Sequence, residues 1–196
     1  MMDPGIVEEM QRYGAMLERR GLNLSSHSGN MSVRRGDRMF IKRRGAMMGY
    51  LGERDVVETG VNAFEGSDGD ASTEVGVHRA IYQGTEALAV VHAHTPYAIA
   101  LSLLHDEIVP VDDEGRYYLE RVPVLDVADS IGSAEVERRL PPVLRRCSAA
   151  LLRGHGTFAR GETLEEAYKW VTVVESICHI RYLVENMEGG AVERDG

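Results

Sequence analysis

The sequence predicts a mixed α/β or α+β protein, read as one domain over residues 1–196. Three observations predict it. Apolar runs of strand length, such as Ala89-Val90-Val91 and Ala149-Ala150-Leu151-Leu152, sit between stretches with helical spacing. Strand-like and helix-like stretches are interleaved along the whole chain. A length of 196 residues with 43% hydrophobic residues suits one sizeable core, and no repeat, low-complexity run or linker divides it.

Asp3-Pro4 reads as a helix cap and first helical residue, followed at helical spacing by Ile6, Val7, Met10, Tyr13, Met16 and Leu17. Gly21 ends this helix. A turn-rich stretch, Ser25 to Asn30, leads to a strand at 31–34. The Arg35-Gly36-Asp37 turn and a strand at 39–42 then make a hairpin. Gly45 and Gly49 break the next segment, and 55–59 reads as a strand. A Gly/Asp loop at 65–70 precedes a helix over 72–83. The central strand covers 87–94. Thr95-Pro96 then opens a helix to Leu104, with Thr95 as the cap. From Asp106 to Val127 the pattern is β-like, with a turn at Asp112-Asp113-Glu114-Gly115. Residues 133–146 are helical, interrupted by Pro141-Pro142. Strands at 149–152 and 157–161 flank Arg153-Gly154-His155-Gly156. Thr163 and Glu166 form a capping box for a long helix carrying Val171, Val174, Ile177, Cys178 and Leu183. From Glu188 the chain reads as frayed and polar.

The net charge of −9 argues against general nucleic-acid binding, which favours a basic surface. Cys147 and Cys178 have neither zinc-type spacing nor the number for a disulfide framework. The first residues lack a signal pattern and no apolar run is long enough to span a bilayer, so a cytoplasmic location is the expectation.

His92-Ala93-His94 ends the central strand. Alternation puts both imidazoles on one face, where they suit a shared metal ion or two half-buried polar positions. His155, between two glycines after another buried strand, supplies a third imidazole. Three imidazoles with an open fourth position describe a catalytic zinc-type site. Glu74, at a helix start, offers a carboxylate that could ligate the metal or exchange protons with a substrate. Ser28-Gly29-Asn30, Arg44-Gly45 and Ser72-Thr73 offer amides, hydroxyls and a guanidinium suited to an oxyanion such as phosphate.

Four segments, in order, resemble the class II aldolase/adducin family, and most closely its fuculose-1-phosphate aldolase-like branch. They are Gly29-Asn30-Met31-Ser32, Ser72-Thr73-Glu74 with His78 beyond it, His92/His94, and the Gly-His-Gly corner at His155. The resemblance implies a three-layer α/β/α fold whose central, mostly antiparallel sheet is flanked by helices. It implies a homotetramer with active sites near subunit interfaces. It implies one divalent metal, most often Zn2+, on His92, His94 and His155, with Glu74 as acid/base and as a metal ligand in the substrate-free state. Gly29, Asn30, Arg44, Gly45, Ser72 and Thr73 would bind phosphate. The implied reaction is reversible cleavage of a ketose 1-phosphate to dihydroxyacetone phosphate and a lactaldehyde-like aldehyde, through a metal-stabilised enediolate. No Schiff-base lysine is needed, and only Lys42 and Lys169 exist to supply one.

The chain departs from the family pattern at Arg43-Arg44-Gly45, where many members have Pro-Thr-Gly. The threonine hydroxyl is gone, and the added charge could bind phosphate or face solvent. Tyr117 or Tyr118 would be the proton donor to the leaving aldehyde, across a subunit interface. The alternatives are a methylthioribulose-1-phosphate-type dehydratase and a pentulose-5-phosphate 4-epimerase, whose members typically have Asp at the Glu74 position. A non-enzymatic adducin-like interaction domain would have lost the three histidines. Of the remaining residues, His78 shares a helix face with Glu74 and could orient it or simply pack. His27 lies beside an anion corner. His105 and His179 read as structural, and Trp170 as core.

Overall fold

Residues 3–192 are described in the computed structural model, with side chains through residue 187. Among these residues, six α-helices and eight strands follow in order. These are α1 (Pro4–Arg19), β1 (Asn30–Arg35), β2 (Arg38–Lys42), β3 (Val56–Gly60), α2 (Val75–Gly84), β4 (Ala89–Ala93) and α3 (Pro96–Ser102). Then come β5 (Glu107–Ile108), α4 (Asp113–Tyr118), β6 (Val122–Leu125), α5 (Ala134–Leu144), β7 (Ala149–Leu152), β8 (Gly156–Gly161) and α6 (Leu164–Val192). The strands lie in the order β3-β2-β1-β4-β8-β7-β6-β5. Every pairing is antiparallel except β6 with β7.

Two apolar cores lie on opposite faces of this sheet. Ile6, Met10 and Leu17 of α1 and Val171, Val174 and Ile177 of α6 pack on Met31, Val91 and Ala159, with α3 beside them. Val77 and Ile81 of α2 and Val136 and Leu140 of α5 pack on Ile41, Val90 and Phe158 of the other face. The architecture is therefore three-layer α/β/α around a mostly antiparallel sheet, as expected.

Several local expectations are corrected. Asp112 to Gly115 is not a turn. Asp112 accepts from the Gly115 amide as an N-cap, and α4 follows, so Tyr117 and Tyr118 lie on a helix rather than a strand. Pro141-Pro142 does not interrupt α5. The two prolines stand near its C-terminal end, where only two N–H donors are lost and Arg145 still bonds back to Pro141. The helix expected from Ser72 begins at Val75. Helix α6 continues to Val192, beyond the Glu188 at which fraying was expected, and residues 193–196 lie outside the described part. Trp170 is half-buried, not core. No helix among the described residues is long and apolar enough to cross a membrane.

Candidate metal centre and anion-binding cavity

Strand β4 is the middle of the sheet, paired with β1 and β8. Its alternation sends Ala89, Val91 and Ala93 to the α1/α6 face, while His92 faces the α2/α5 side. His94 follows on that same side, and its amide donates to Asn23 Oδ1 at 2.9 Å. His155 enters from the β7–β8 corner. Gly156 is indispensable to that corner: its φ is +158°, and a Cβ there would stand 2.5 Å from the Ala93 carbonyl and 3.2 Å from the His92 ring.

The three imidazoles converge. One ring nitrogen from each of His92, His94 and His155 lies within 4.8 Å of the others. His92 and His94 approach to 3.1 Å through their Nε2 atoms. Thr157 fixes the tautomer of His92. Its carbonyl, 3.0 Å from Nδ1, takes the ring N–H, so Nε2 presents a bare lone pair. Burial, with the neighbouring imidazoles, pushes the pKa of His92 well down and that of His94 down to about 4. Burial also lowers His155. Neutral imidazoles are the state that ligates metal.

Glu74 stands over this group at the start of α2. Its Oε2 lies 3.4 Å from His92 Nε2, and its Oε1 lies 4.0 Å from His155 Nε2. Oε2 accepts from Asn30 Nδ2 at 2.9 Å, whereas buried Oε1 has no hydrogen-bond partner among the described residues. Burial raises the carboxyl pKa to about 7 against the Asn30 hydrogen bond and the backbone amide of Gly132. An unpartnered carboxylate oxygen beside three deprotonated imidazoles is a donor set that fits a divalent cation. The same carboxyl, with a pKa near neutrality, also suits proton transfer.

A cavity of about 160 Å³ opens beside the centre. Asn30, Arg44, Gly45, Ser72, Thr73 and Glu74 line it, with Gly29, His94 and His155. The expected anion corners are thus brought together. Gly29 adopts φ +69°, and a Cβ there would meet the His92 carbonyl at 2.8 Å. The Arg44 and Ser72 corners are tied by Ser72 N–H to the Lys42 carbonyl and by Arg44 N–H to the Asp70 carbonyl, both 2.9 Å. Arg43 turns outward and pairs with Asp70 at 3.1 Å, while Arg44 lines the cavity. His27 lines it too, its ring held by Ser26.

Three residues at or beside the site escaped the sequence reading. Lys42 is buried under the anion corners, its Nζ donating to the Ala46 carbonyl at 2.6 Å, and burial lowers its pKa to about 8. Its place at the end of a strand, after the apolar run Met39-Phe40-Ile41, hid it. Asn23 sits in an unpatterned loop. Ile131, at the lip of the cavity, is exposed in a segment with no periodicity.

Tyr117 and Tyr118 do not enter this cavity within the chain. Tyr117 is 83% exposed, and Tyr118 packs edge-on to Trp170. His105 pairs with Glu185 and His179 stacks on Tyr97, both away from the centre.

Comparison with known proteins agrees with this arrangement. The Class II Aldolase and Adducin N-terminal domain family model matches residues 8–182. L-fuculose-1-phosphate aldolase from Thermus thermophilus superposes with a TM-score of 0.90 at 34% identity, over 95% of this chain and 97% of that one. L-fuculose phosphate aldolase of Methanococcus maripaludis strain C7 is 28% identical over 163 residues, 82% of this chain and 87% of that protein. A probable bifunctional methylthioribose-1-phosphate isomerase/methylthioribulose-1-phosphate dehydratase of Nocardia farcinica is 30% identical, matching 78% of this chain but only 31% of that longer protein. With a match over most of its length and a fold that superposes throughout, this chain belongs to the class II aldolase and adducin N-terminal domain family and is an enzyme of class II aldolase type.

Proposed function

We propose that this protein is a zinc-dependent aldolase that cleaves a ketose 1-phosphate reversibly to dihydroxyacetone phosphate and a short aldehyde. The observation that carries this reading is the free Oε1 of Glu74 facing the group formed by His92, His94 and His155. A divalent ion on those imidazoles would supply Lewis acidity to the substrate's carbonyl and neighbouring hydroxyl oxygens.

The chain's own groups would do the rest. Gly29, Gly45, Ser72 and Thr73 present amides and hydroxyls to the phosphate, and Arg44 with Lys42 supplies positive charge. This anchor sets the carbonyl end of the sugar against the histidines. In cleavage the C4 hydroxyl loses its proton, the C3–C4 bond breaks, and its electron pair moves toward the C2 carbonyl. Glu74, protonated, then returns a proton to C3 through Oε1, giving dihydroxyacetone phosphate. Ile131 offers the aldehyde half an apolar contact at the cavity lip. In the homotetramer that belongs to this reading, Tyr117 or Tyr118 reaches a neighbouring site to exchange the C4 hydroxyl proton. A cytoplasmic location fits a soluble sugar phosphate.

A second reading, dehydration of a methylthioribulose 1-phosphate-like sugar, is favoured by the likeness to the Nocardia farcinica protein. It would use the same metal and carboxylate. A 4-epimerase is disfavoured by Glu at position 74.

Product analysis by NMR distinguishes these. Metal-loaded protein is incubated with a panel of ketose 1-phosphates, methylthioribulose 1-phosphate and a pentulose 5-phosphate. Dihydroxyacetone phosphate and a free aldehyde are expected. Loss of water from the thio-sugar without cleavage of any ketose, or inversion at C4, would overturn the aldolase reading.

A further inference from the structure

Glu74, His78 and Tyr82 recur every four residues and share one face of α2. Asn30 and Ser32 share one face of β1. Four residues of helix rise about 6 Å and two residues of strand about 6.7 Å, so the two rows stay in step where they face each other. The result is a single chain of hydrogen bonds. Tyr82 Oη and Ser32 Oγ are 2.7 Å apart, and Ser32 Oγ and His78 Nδ1 also 2.7 Å. His78 Nε2 and Asn30 Oδ1 are 2.5 Å apart, and Asn30 Nδ2 and Glu74 Oε2 2.9 Å. All five side chains are buried.

The direction of this chain follows from one end. A carboxylate oxygen accepts, so Asn30 turns its NH2 group to Glu74. Its carbonyl then faces His78, whose Nε2 must carry the hydrogen. A neutral imidazole has one N–H. Full burial keeps His78 neutral, its pKa pushed down to about 3. Nδ1 is therefore bare and takes the Ser32 hydroxyl hydrogen. Ser32, having given its only hydrogen, accepts from Tyr82. Every donor points toward Glu74.

This matters because the two oxygens of Glu74 differ. Oε2 accepts from Asn30, while Oε1, 4.0 Å from His155 Nε2, has no hydrogen-bond partner among the described residues, with the Gly132 amide beside the carboxyl. We propose that Tyr82, Ser32, His78 and Asn30 are positioning residues that hold Glu74 Oε2 and reserve Oε1 for proton transfer. Apolar side chains of similar size would fill the same space without the risk of unsatisfied buried groups. The proposal rests on the reading of Glu74 as acid/base.

Two measurements test it. In the metal-free full-length chain labelled with 15N-histidine, long-range 1H–15N spectra report the His78 tautomer, its signals identified by their loss in His78→Asn. Nε2–H with a bare Nδ1 at pH 7 is expected; Nδ1–H or an imidazolium would overturn the direction of the chain. The second is the rate at which metal-loaded protein exchanges deuterium from D2O into dihydroxyacetone phosphate. His78→Gln keeps an N–H near the Nε2 position and His78→Asn does not. His78→Asn is expected to lower kcat for exchange about 10–100-fold, as supporting-residue changes do, with KM and metal content little changed. His78→Gln should stay within about threefold of the parent rate, well short of the loss that removing a supporting partner brings. Equal rates in His78→Asn and the parent, or equal losses in both variants, would overturn the proposal. Ser32→Ala, which removes one hydroxyl, serves if His78→Asn fails to fold; it should slow exchange, and a full rate would count against the chain. Glu74→Gln separates the two readings. Full exchange there defeats the acid/base assignment, whereas a dead Glu74→Gln beside an unaffected His78→Asn defeats only the positioning role.

Discussion

Glu175 of α6 accepts the amide of Ala98 at 3.0 Å through one carboxylate oxygen, and that of Tyr97 through the other. It thereby caps α3, the helix that begins two residues after His94. Thr95, in the N-cap position, makes no capping bond; its hydroxyl meets Thr157 Oγ1 at 2.6 Å instead. The corner bearing His94 is thus anchored by a distant residue of the α1/α6 layer.

Glu175→Ala leaves two amides at a buried helix end without an acceptor. A loss of about 2–4 kcal/mol in unfolding free energy is expected, from a lost cap plus unsatisfied donors. Glu175→Gln retains one acceptor and should lose less. Denaturant unfolding checks both, and an unchanged midpoint in Glu175→Ala would remove the capping role.

The Glu74 carboxyl, raised by burial to about 7, gives a pH signature in chelator-treated protein. Between about 4.5 and 7 the folded chain holds a proton on Glu74 that the unfolded chain has released. Its contribution to stability therefore falls as pH rises through that window. Glu175, also raised to about 7 by burial, acts in the same direction. His94, lowered to about 4, acts oppositely: between about 4 and 6.5 only the unfolded chain binds its proton, so stability rises with pH. Subtracting the parent curve from that of Glu74→Gln isolates Glu74. The variant's relative stability should climb from about pH 4.5 to 7, by an amount on the order of a few kcal/mol, then level off. A flat difference would contradict a perturbed Glu74.

Lys42 and Arg44 differ in what they predict for substrate binding. Arg44→Ala should raise KM for a phosphorylated substrate about tenfold at every pH, the worth of one charge-assisted contact of ~1.4 kcal/mol. Lys42, lowered by burial to about 8, is charged below that pH and neutral above it. Lys42→Met should therefore raise KM clearly at pH 7 and little at pH 9. Steady-state kinetics at both values checks the pair, and a pH-independent Lys42→Met effect would show that its charge is not what binds.

The elements that periodicity resolves were legible: helices α1, α2, α3, α5 and α6, the β1–β2 hairpin and the His92/His94 strand follow from apolar spacing and turn residues. The α4 helix was not, because Asp112-Asp113-Glu114-Gly115 serves equally as a turn or as a cap with an acidic first turn. At the site, motif spacing located His92, His94, His155 and Glu74. It missed Lys42, since a buried lysine in an apolar strand looks like an edge residue, and Asn23, whose partner His94 lies 71 residues away. The Glu74-His78-Tyr82 spacing was visible, but its meaning required Asn30 and Ser32 to face it from another element.

In the proposed reaction His92, His94, His155 and Glu74 form one divalent-metal centre that breaks a carbon–carbon bond. The most direct test is stepwise return of zinc to chelator-treated protein while dihydroxyacetone phosphate release from a ketose 1-phosphate is followed. Release should be absent without metal, rise linearly, and level off at about one ion per chain. Cleavage by the fully chelated protein, or none at any zinc loading, would contradict it.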